Sequence, residues 1–148
     1  GINYTHDGIQ YYYPRISEWR GRAIYGKEFS KAVLSSEINV NIHYPHHGSE
    51  EFTKEYGPNP KVFEIMGAGG FLITDNVQGV LDLFENGKHL VIYNTFAGMV
   101  DKIRYYLANN SLIAKIAAAG KEEVIKKHTW PIRVKQAIEI TKTGRNIF

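Results

Sequence analysis

The chemistry of this chain is concentrated in one stretch: Asn59-Pro60-Lys61-Val62-Phe63-Glu64-Ile65-Met66-Gly67-Ala68-Gly69-Gly70-Phe71-Leu72-Ile73-Thr74-Asp75. Glu64 is a carboxylate among apolar neighbours on a short helix, and a glycine-rich turn follows it. A carboxylate facing a cleft suits a vicinal diol such as ribose, because each oxygen accepts from one hydroxyl. N–H groups at a helix start favour anions such as a diphosphate, and Lys61 puts a cation within reach of that start. The apolar run after the turn ends on Thr74-Asp75, and in open α/β sheets ligands bind at that carboxyl end. The glycines at 67–70 fit neither Gly-x-Gly-x-x-Gly nor a Gly-Lys-Ser/Thr phosphate loop. On the residues alone, the turn also reads as an ordinary helix C-cap.

A second candidate is His43. Ile38 to Tyr44 alternates Ile38, Val40 and Ile42 with Asn39, Asn41 and His43, which predicts a half-buried strand with a polar face. At the carboxyl end of that strand, His43 is placed either to reach an anion in the cleft as a catalytic group or to stand as a structural histidine in the sheet rim. His46 and His47 lie close by, but two adjacent side chains do not easily face one ion. The sequence has neither a helical His-x-x-x-His nor an Asp-x-Asp, so no metal and no other cofactor is expected. Tyr11, Tyr12 and Tyr13 could stack on a base or sugar, although such a cluster more often covers a core edge or an interface.

The elements that must position these groups are legible along the chain. Residues 1–19 show no clean period and read as an irregular or partial segment, or as a hairpin around Asp7-Gly8. From residue 20, Arg22 to Tyr25 is a strand candidate and Lys27 to Ser36 a short helix. Pro60 takes a first helical position, and Gly67, Gly69 and Gly70 end that helix. Phe71 to Thr74 is a buried strand, Val77 to Phe84 a short helix, and His89 to Tyr93 another strand. Three helices close the chain: Phe96 to Ala108 after Thr95, a second from Ser111 through His128, and a third from Thr129 to about Thr143 with Pro131 in its first turn. Strands alternating with helices predict an α/β fold. We expect a Rossmann-like three-layer parallel sheet of about four to five strands with a helical C-terminal tail over residues 20–148.

Composition narrows the function classes. The chain has 148 residues, 43% of them hydrophobic and 22% charged, enough for one globular domain with a buried core. It has no cysteine, which excludes disulfides, thiolate metal sites and a cysteine nucleophile. No apolar run reaches the roughly 20 residues that span a bilayer, and no signal-peptide layout opens the chain, so a cytoplasmic protein is expected. The net charge of +3 divides into −3 over residues 1–100 (8 Lys/Arg against 11 Asp/Glu) and +6 over 101–148 (10 against 4). Lysines and arginines interleaved with apolar residues in the tail read as solvated helix faces rather than as a nucleic-acid surface.

As an ordered set, these pieces resemble the C-terminal domain of GT-B fold glycosyltransferases. The nearest branch is the spore-maturation-type (CgeB-like) group of glycosyl transferases group 1. That family's pattern is an Asn-x-Arg-x-Phe-Glu helix, a small-residue-plus-Gly turn and a strand ending in Thr-Asp. Here Asn59, Lys61, Phe63 and Glu64 are followed by Ala68-Gly69-Gly70 and Leu72-Ile73-Thr74-Asp75. Upstream, Gly26-Lys27-Glu28 and the run Ser35 to His43 look like the family's helix leading into a strand that ends in Asn-x-His. Downstream, Gly79-Val80 to Lys88, Tyr93, Lys102 to Leu107 and Gly120 to Thr129 resemble its remaining elements. The likeness covers about residues 20–140.

The resemblance implies that Glu64 holds the ribose of a nucleotide-diphosphate sugar donor. It also places Gly69, Gly70, Thr74 and Asp75 beside the diphosphate and sugar, and Asn59 and Phe63 in the same binding set. Lys61 stands where the family usually has Arg, which keeps a phosphate contact as a point charge without the bidentate fork. Related families often carry a second glutamate eight residues before this one; here that position is Tyr56, and the role is not carried over. One half of a GT-B architecture implies a missing N-terminal acceptor domain, a chain that does not turn over alone, and a last helix whose apolar face could form a homodimer. The competing expectation is a non-catalytic α/β interaction module that kept the fold and lost the donor site.

Overall fold

The computed structural model describes residues 21–43 and 57–144, together with the backbone of residues 2–6 and 9–13. Strands β1 (Ile2–His6) and β2 (Ile9–Tyr13) pair antiparallel, with Ile2 opposite Tyr13 and His6 opposite Ile9. The hairpin alternative for the opening segment is therefore the one adopted there, while Asp7 and Gly8 lie outside the described residues. The side chains of Tyr11 to Tyr13, and His46 and His47, also lie outside them.

The rest is an α/β unit built on a parallel sheet of β3 (Asn39–Asn41), β4 (Leu72–Asp75) and β5 (Val91–Tyr93), in that spatial order. Helix α1 (Gly26–Leu34) precedes β3, α2 (Pro60–Ala68) joins β3 to β4, and the short α3 (Val80–Leu83) lies between β4 and β5. Then come α4 (Phe96–Leu107), α5 (Asn110–Lys127) and α6 (Trp130–Thr143). The expected parallel sheet with helices is present, with three strands among the described residues rather than four or five. Arg22 to Tyr25 forms no strand. Tyr25 is the extended N-cap position of α1 and is 79% exposed, so its segment leads into the helix without pairing.

Two apolar clusters make the sheet the middle of three layers. Leu72 and Ile92 face one side, against Val62, Ile65 and Met66 of α2 and Val124 of α5. Ile73, Val91 and Tyr93 face the other, against Met99 of α4 and Ile116 of α5. The strand alternation at β3 is real and Ile38 packs against the second cluster, but from Val40 onward the burial is opposite to the expected sense. Asn41 is 7% exposed, whereas Val40 and Ile42 are 40% and 62% exposed. The reason is polar pairing: Asn39 Nδ2 donates to the carbonyls of Val33 and Phe71, and Asn41 Nδ2 donates to Thr74 Oγ1, 3.3 Å away. A hydrogen-bonded amide can be buried without the usual penalty.

Helix boundaries follow local chemistry. Thr95 Oγ1 accepts from the Gly98 N–H at 3.0 Å and starts α4. Asn109, rather than Ser111, occupies the N-cap of α5, and α6 begins after Thr129 with Pro131 in its first turn. Of the basic residues of the tail, Lys115, Lys121, Lys126 and Lys127 are exposed, whereas Lys102 and Arg133 are half-buried. Helix α5 lies so close to the chain leading into β5 that a Cβ on Gly120 would collide with the His89 carbonyl oxygen, with Met66 Cε of α2 3.1 Å away. Replacing Gly120 with alanine should therefore cost about 1–3 kcal/mol in urea unfolding. Gly21→Ala, where nothing lies within 4 Å, should stay within about 0.5 kcal/mol.

Candidate functional site

The site is built where α2 begins. Asn59 is extended, and its Oδ1 accepts the Lys61 N–H at 3.1 Å; Pro60 then fills the first helical position, where a missing N–H costs nothing. The helix runs antiparallel to β4, so its start stands beside the carboxyl ends of β3 and β4. Its far end carries Gly69 in the left-handed region (φ 98°), with the N–H groups of Gly69 and Gly70 donating to the carbonyls of Met66 and Ile65.

That arrangement separates the expected site residues into two groups. Asn59, Lys61, Phe63, Glu64, Thr74, Asp75 and His43 come together at the carboxyl edge of the sheet. Gly69 and Gly70 lie at the opposite end of α2, where the helix dipole is negative and both backbone donors are occupied. A Cβ on Gly70 would collide with Val33 and come within 2.8 Å of Asn39 Nδ2, so the glycine is there for close packing.

Five side chains at the carboxyl edge form a closed ring of hydrogen bonds. Asn59 Nδ2 donates to Asn41 Oδ1 (3.4 Å), Asn41 Nδ2 to Thr74 Oγ1 (3.3 Å), and Thr74 Oγ1 to Asp75 Oδ1 (3.2 Å). Asp75 Oδ1 lies 2.6 Å from His43 Nδ1, and its carboxylate also accepts the His43 backbone N–H. The Asn59 N–H closes the ring by donating to His43 Nε2 at 3.1 Å. These donors fix the tautomer: Nε2 must accept, so Nδ1 carries the proton and the imidazole is neutral. Thr74 is fully buried, so its hydroxyl serves this ring and has no exposed surface for a ligand. Burial and the Asp75 charge together push the neighbouring Tyr93 phenol above its ordinary pKa.

Glu64 and Lys61 face outward from the next turn. Their side chains are 47% and 52% exposed and paired with each other at 2.5 Å, and the Lys61 ammonium also lies 4.3 Å from the Phe29 ring centroid. An exposed pair of this type is worth about 0.3–0.5 kcal/mol, so a ligand can displace it at little cost. The helix start offers few free backbone donors: Pro60 has none, Lys61 is capped, and the Val62 N–H bonds to the Asn59 carbonyl. Any phosphate contact here therefore falls to the Lys61 side chain.

Glu64 forms part of the wall of two hollows. One, of about 380 Å³, lies between α1 and α2 and is lined by Ile24, Tyr25, Phe29, Ser30 and Lys61. The other, about 210 Å³, is more apolar and is lined by Pro58, Phe63, His128, Trp130 and Arg133. Tyr25, Phe29, His128, Trp130 and Arg133 were not among the sequence candidates. Phe63 packs tilted on Phe84 and His128, each with a centroid distance of 5.6 Å. Among the described residues, no group of three or more His, Cys, Asp or Glu side chains could hold a metal ion, and no helix is long and apolar enough to cross a membrane.

Comparison with known proteins agrees with this geometry at the level of family. Residues 4–139 match the family model described as glycosyl transferase-like. The chain belongs to that family, which makes it a glycosyltransferase-type domain. A search of curated proteins finds no match.

Burial, aided by the Arg133 cation, lowers the His128 pKa, while Glu123 opposes the shift. The folded protein thus stays neutral at His128 where the unfolded chain takes up a proton. The resulting stability is present above the ordinary histidine range and is lost as pH falls through it. The melting temperature should accordingly drop between about pH 7 and 5.5, and His128→Phe should flatten that dependence in thermal melts.

Proposed function

We propose that this chain is the nucleotide-sugar-binding domain of a GT-B glycosyltransferase, the C-terminal half of a spore-maturation-type enzyme. The observation that carries the reading is the outward-facing Glu64 carboxylate. It stands one turn into a helix fixed at the carboxyl edge of a parallel sheet, with an accessible hollow on either side. Glu64 accepts from the two ribose hydroxyls of a nucleoside diphosphate, and Lys61 swings from Glu64 to the diphosphate as a point charge. Asn59 caps the helix that carries both groups, and Phe63 contributes apolar wall. Asp75, whose anionic carboxylate would repel a diphosphate, serves the donor site from within the hydrogen-bonded ring, as does Thr74. Positioned donors of this kind stabilise a departing diphosphate, while the acceptor and any general base belong to a separate N-terminal half. No metal takes part in this reading.

Titration calorimetry with UDP, GDP and ADP tests the assignment. At least one should bind the parent chain weakly, and Glu64→Ala should weaken it by about 10- to 100-fold, the worth of hydrogen bonds to a charged acceptor. Equal binding by parent and variant would remove Glu64 from the site. The Lys61–Glu64 pair favours a second reading, a non-catalytic interaction module whose former donor groups satisfy each other, and failure of all three nucleotides to bind would select it.

The same proposal gives α6 a role. No residue of α6 is buried, and Trp130, Val134 and Ile138 are 81%, 51% and 49% exposed. This apolar side is read as the surface that packs on the acceptor-binding half or, without it, on a second copy. Light scattering should then give a dimer mass that Val134→Glu with Ile138→Glu returns to monomer; a monomeric parent would count against the dimer.

A further inference from the structure

Both ring nitrogens of His43 are spent inside the protein, and the partner of Nε2 is the backbone of the residue that caps α2. We infer that His43 is a positioning residue for the donor site. Oriented by Asp75, its neutral imidazole holds the first turn of α2, and with it Lys61 and Glu64, at the carboxyl edge of the sheet. The inference rests on the reading of Glu64 and Lys61 as donor-binding groups, and it replaces direct contact of His43 with the leaving diphosphate.

Three features support a positioning role over a catalytic one. The His43 side chain is 10% exposed, so a phosphate oxygen could reach it only after an existing bond breaks. Nε2 is already occupied as the acceptor of the Asn59 N–H, so the nitrogen that would have to donate to a leaving diphosphate is engaged with the protein backbone. The Asp75 carboxylate behind it accepts from His43 Nδ1, the His43 backbone and Thr74, which fixes the direction of the ring as a carboxylate behind a metal-bound histidine does.

The tether also has a clear mechanical reach. The inner face of α2, through Val62, Ile65 and Met66, holds the helix body on the sheet whether or not His43 is present. What His43 adds is the fixed start: it binds the N–H of Asn59, whose side chain in turn caps Lys61. Each helical residue turns the next by about 100°, so fraying at the cap redirects Lys61 first and then Glu64. Loss of the imidazole should therefore alter the placement of the binding groups more than the stability of the fold.

The test combines His43→Phe and Asp75→Asn with three readouts on the full chain. In the parent, the imidazole nitrogen chemical shifts should show the neutral Nδ1–H form; an Nε2–H form would overturn the tether. His43→Phe should retain cooperative unfolding and protected β4 amides, speed hydrogen exchange at Asn59 and Lys61 at least about ten-fold, and raise the Kd for UDP, GDP or ADP by about ten-fold, the worth of one lost hydrogen bond. Asp75→Asn, which keeps an acceptor for Nδ1–H, should have the smaller effect on Kd. Faster exchange with an unchanged Kd would make His43 merely structural and refute the proposal. Unchanged exchange would refute the tether itself. If none of the three nucleotides binds the parent, the donor reading falls and the positioning role with it, while the tautomer and the Asn59 exchange still report separately on the tether. Should His43→Phe fail to fold, the parent tautomer and the Asp75→Asn affinity decide the matter.

Discussion

The placement of the candidate site depends on a loop of hydrogen bonds that leaves Asn59 through its side chain and returns to it through its backbone. Asn41, Thr74, Asp75 and His43 are the intermediate links, drawn from the ends of two neighbouring parallel strands. In such a ring every member is both oriented and satisfied, so polar groups can be buried at the edge of an apolar sheet without the cost of an unpaired atom. Its product is a helix start with a fixed place and direction. The outward pair Lys61 and Glu64 inherits that placement one turn later.

The two ends of α2 are specialised in opposite ways. At its start, polar groups converge and exposed charges flank two hollows. At its end, the chain is closed by Gly69 in the left-handed region and by Gly70 against Val33, and the N–H groups of both glycines are spent on carbonyls of the helix itself. Gly120 of α5 follows the same logic of close approach, against the His89 carbonyl before β5 and Met66 of α2. Packing thus occupies one pole of the sheet and leaves the other available for binding, the usual division in α/β domains.

Much of this was legible in the sequence because it is local. Pro60 at a first helical position signals a helix start, the apolar run before Thr74-Asp75 signals a buried parallel strand, and both stand where the residues predict. The sense of β3 was not legible. Alternation fixes which residues share a face but not which face is inward, and the expectation that isoleucine and valine turn inward lost to amides with partners on α1 and β4. The glycine turn was placed beside the diphosphate by resemblance, but the antiparallel run of α2 against β4 puts it at the other pole. His43 stood out as a reactive side chain at a strand end. Its occupation was invisible because its partners lie 16 and 32 residues away. Trp130, His128 and Arg133 reach the Glu64 hollow only through the turn between α5 and α6, and no pattern within either helix announces that approach.

The central claim is that Glu64 recognises a pentose diol, and it is tested most directly by changing the diol instead of the protein. The nucleoside diphosphate that binds best should be compared with its 2′,3′-dideoxy counterpart on the parent chain and on Glu64→Ala. The account predicts that removing the two hydroxyls weakens binding to the parent and makes no further difference once the carboxylate is gone. Equal affinity of the parent for both nucleotides would contradict it.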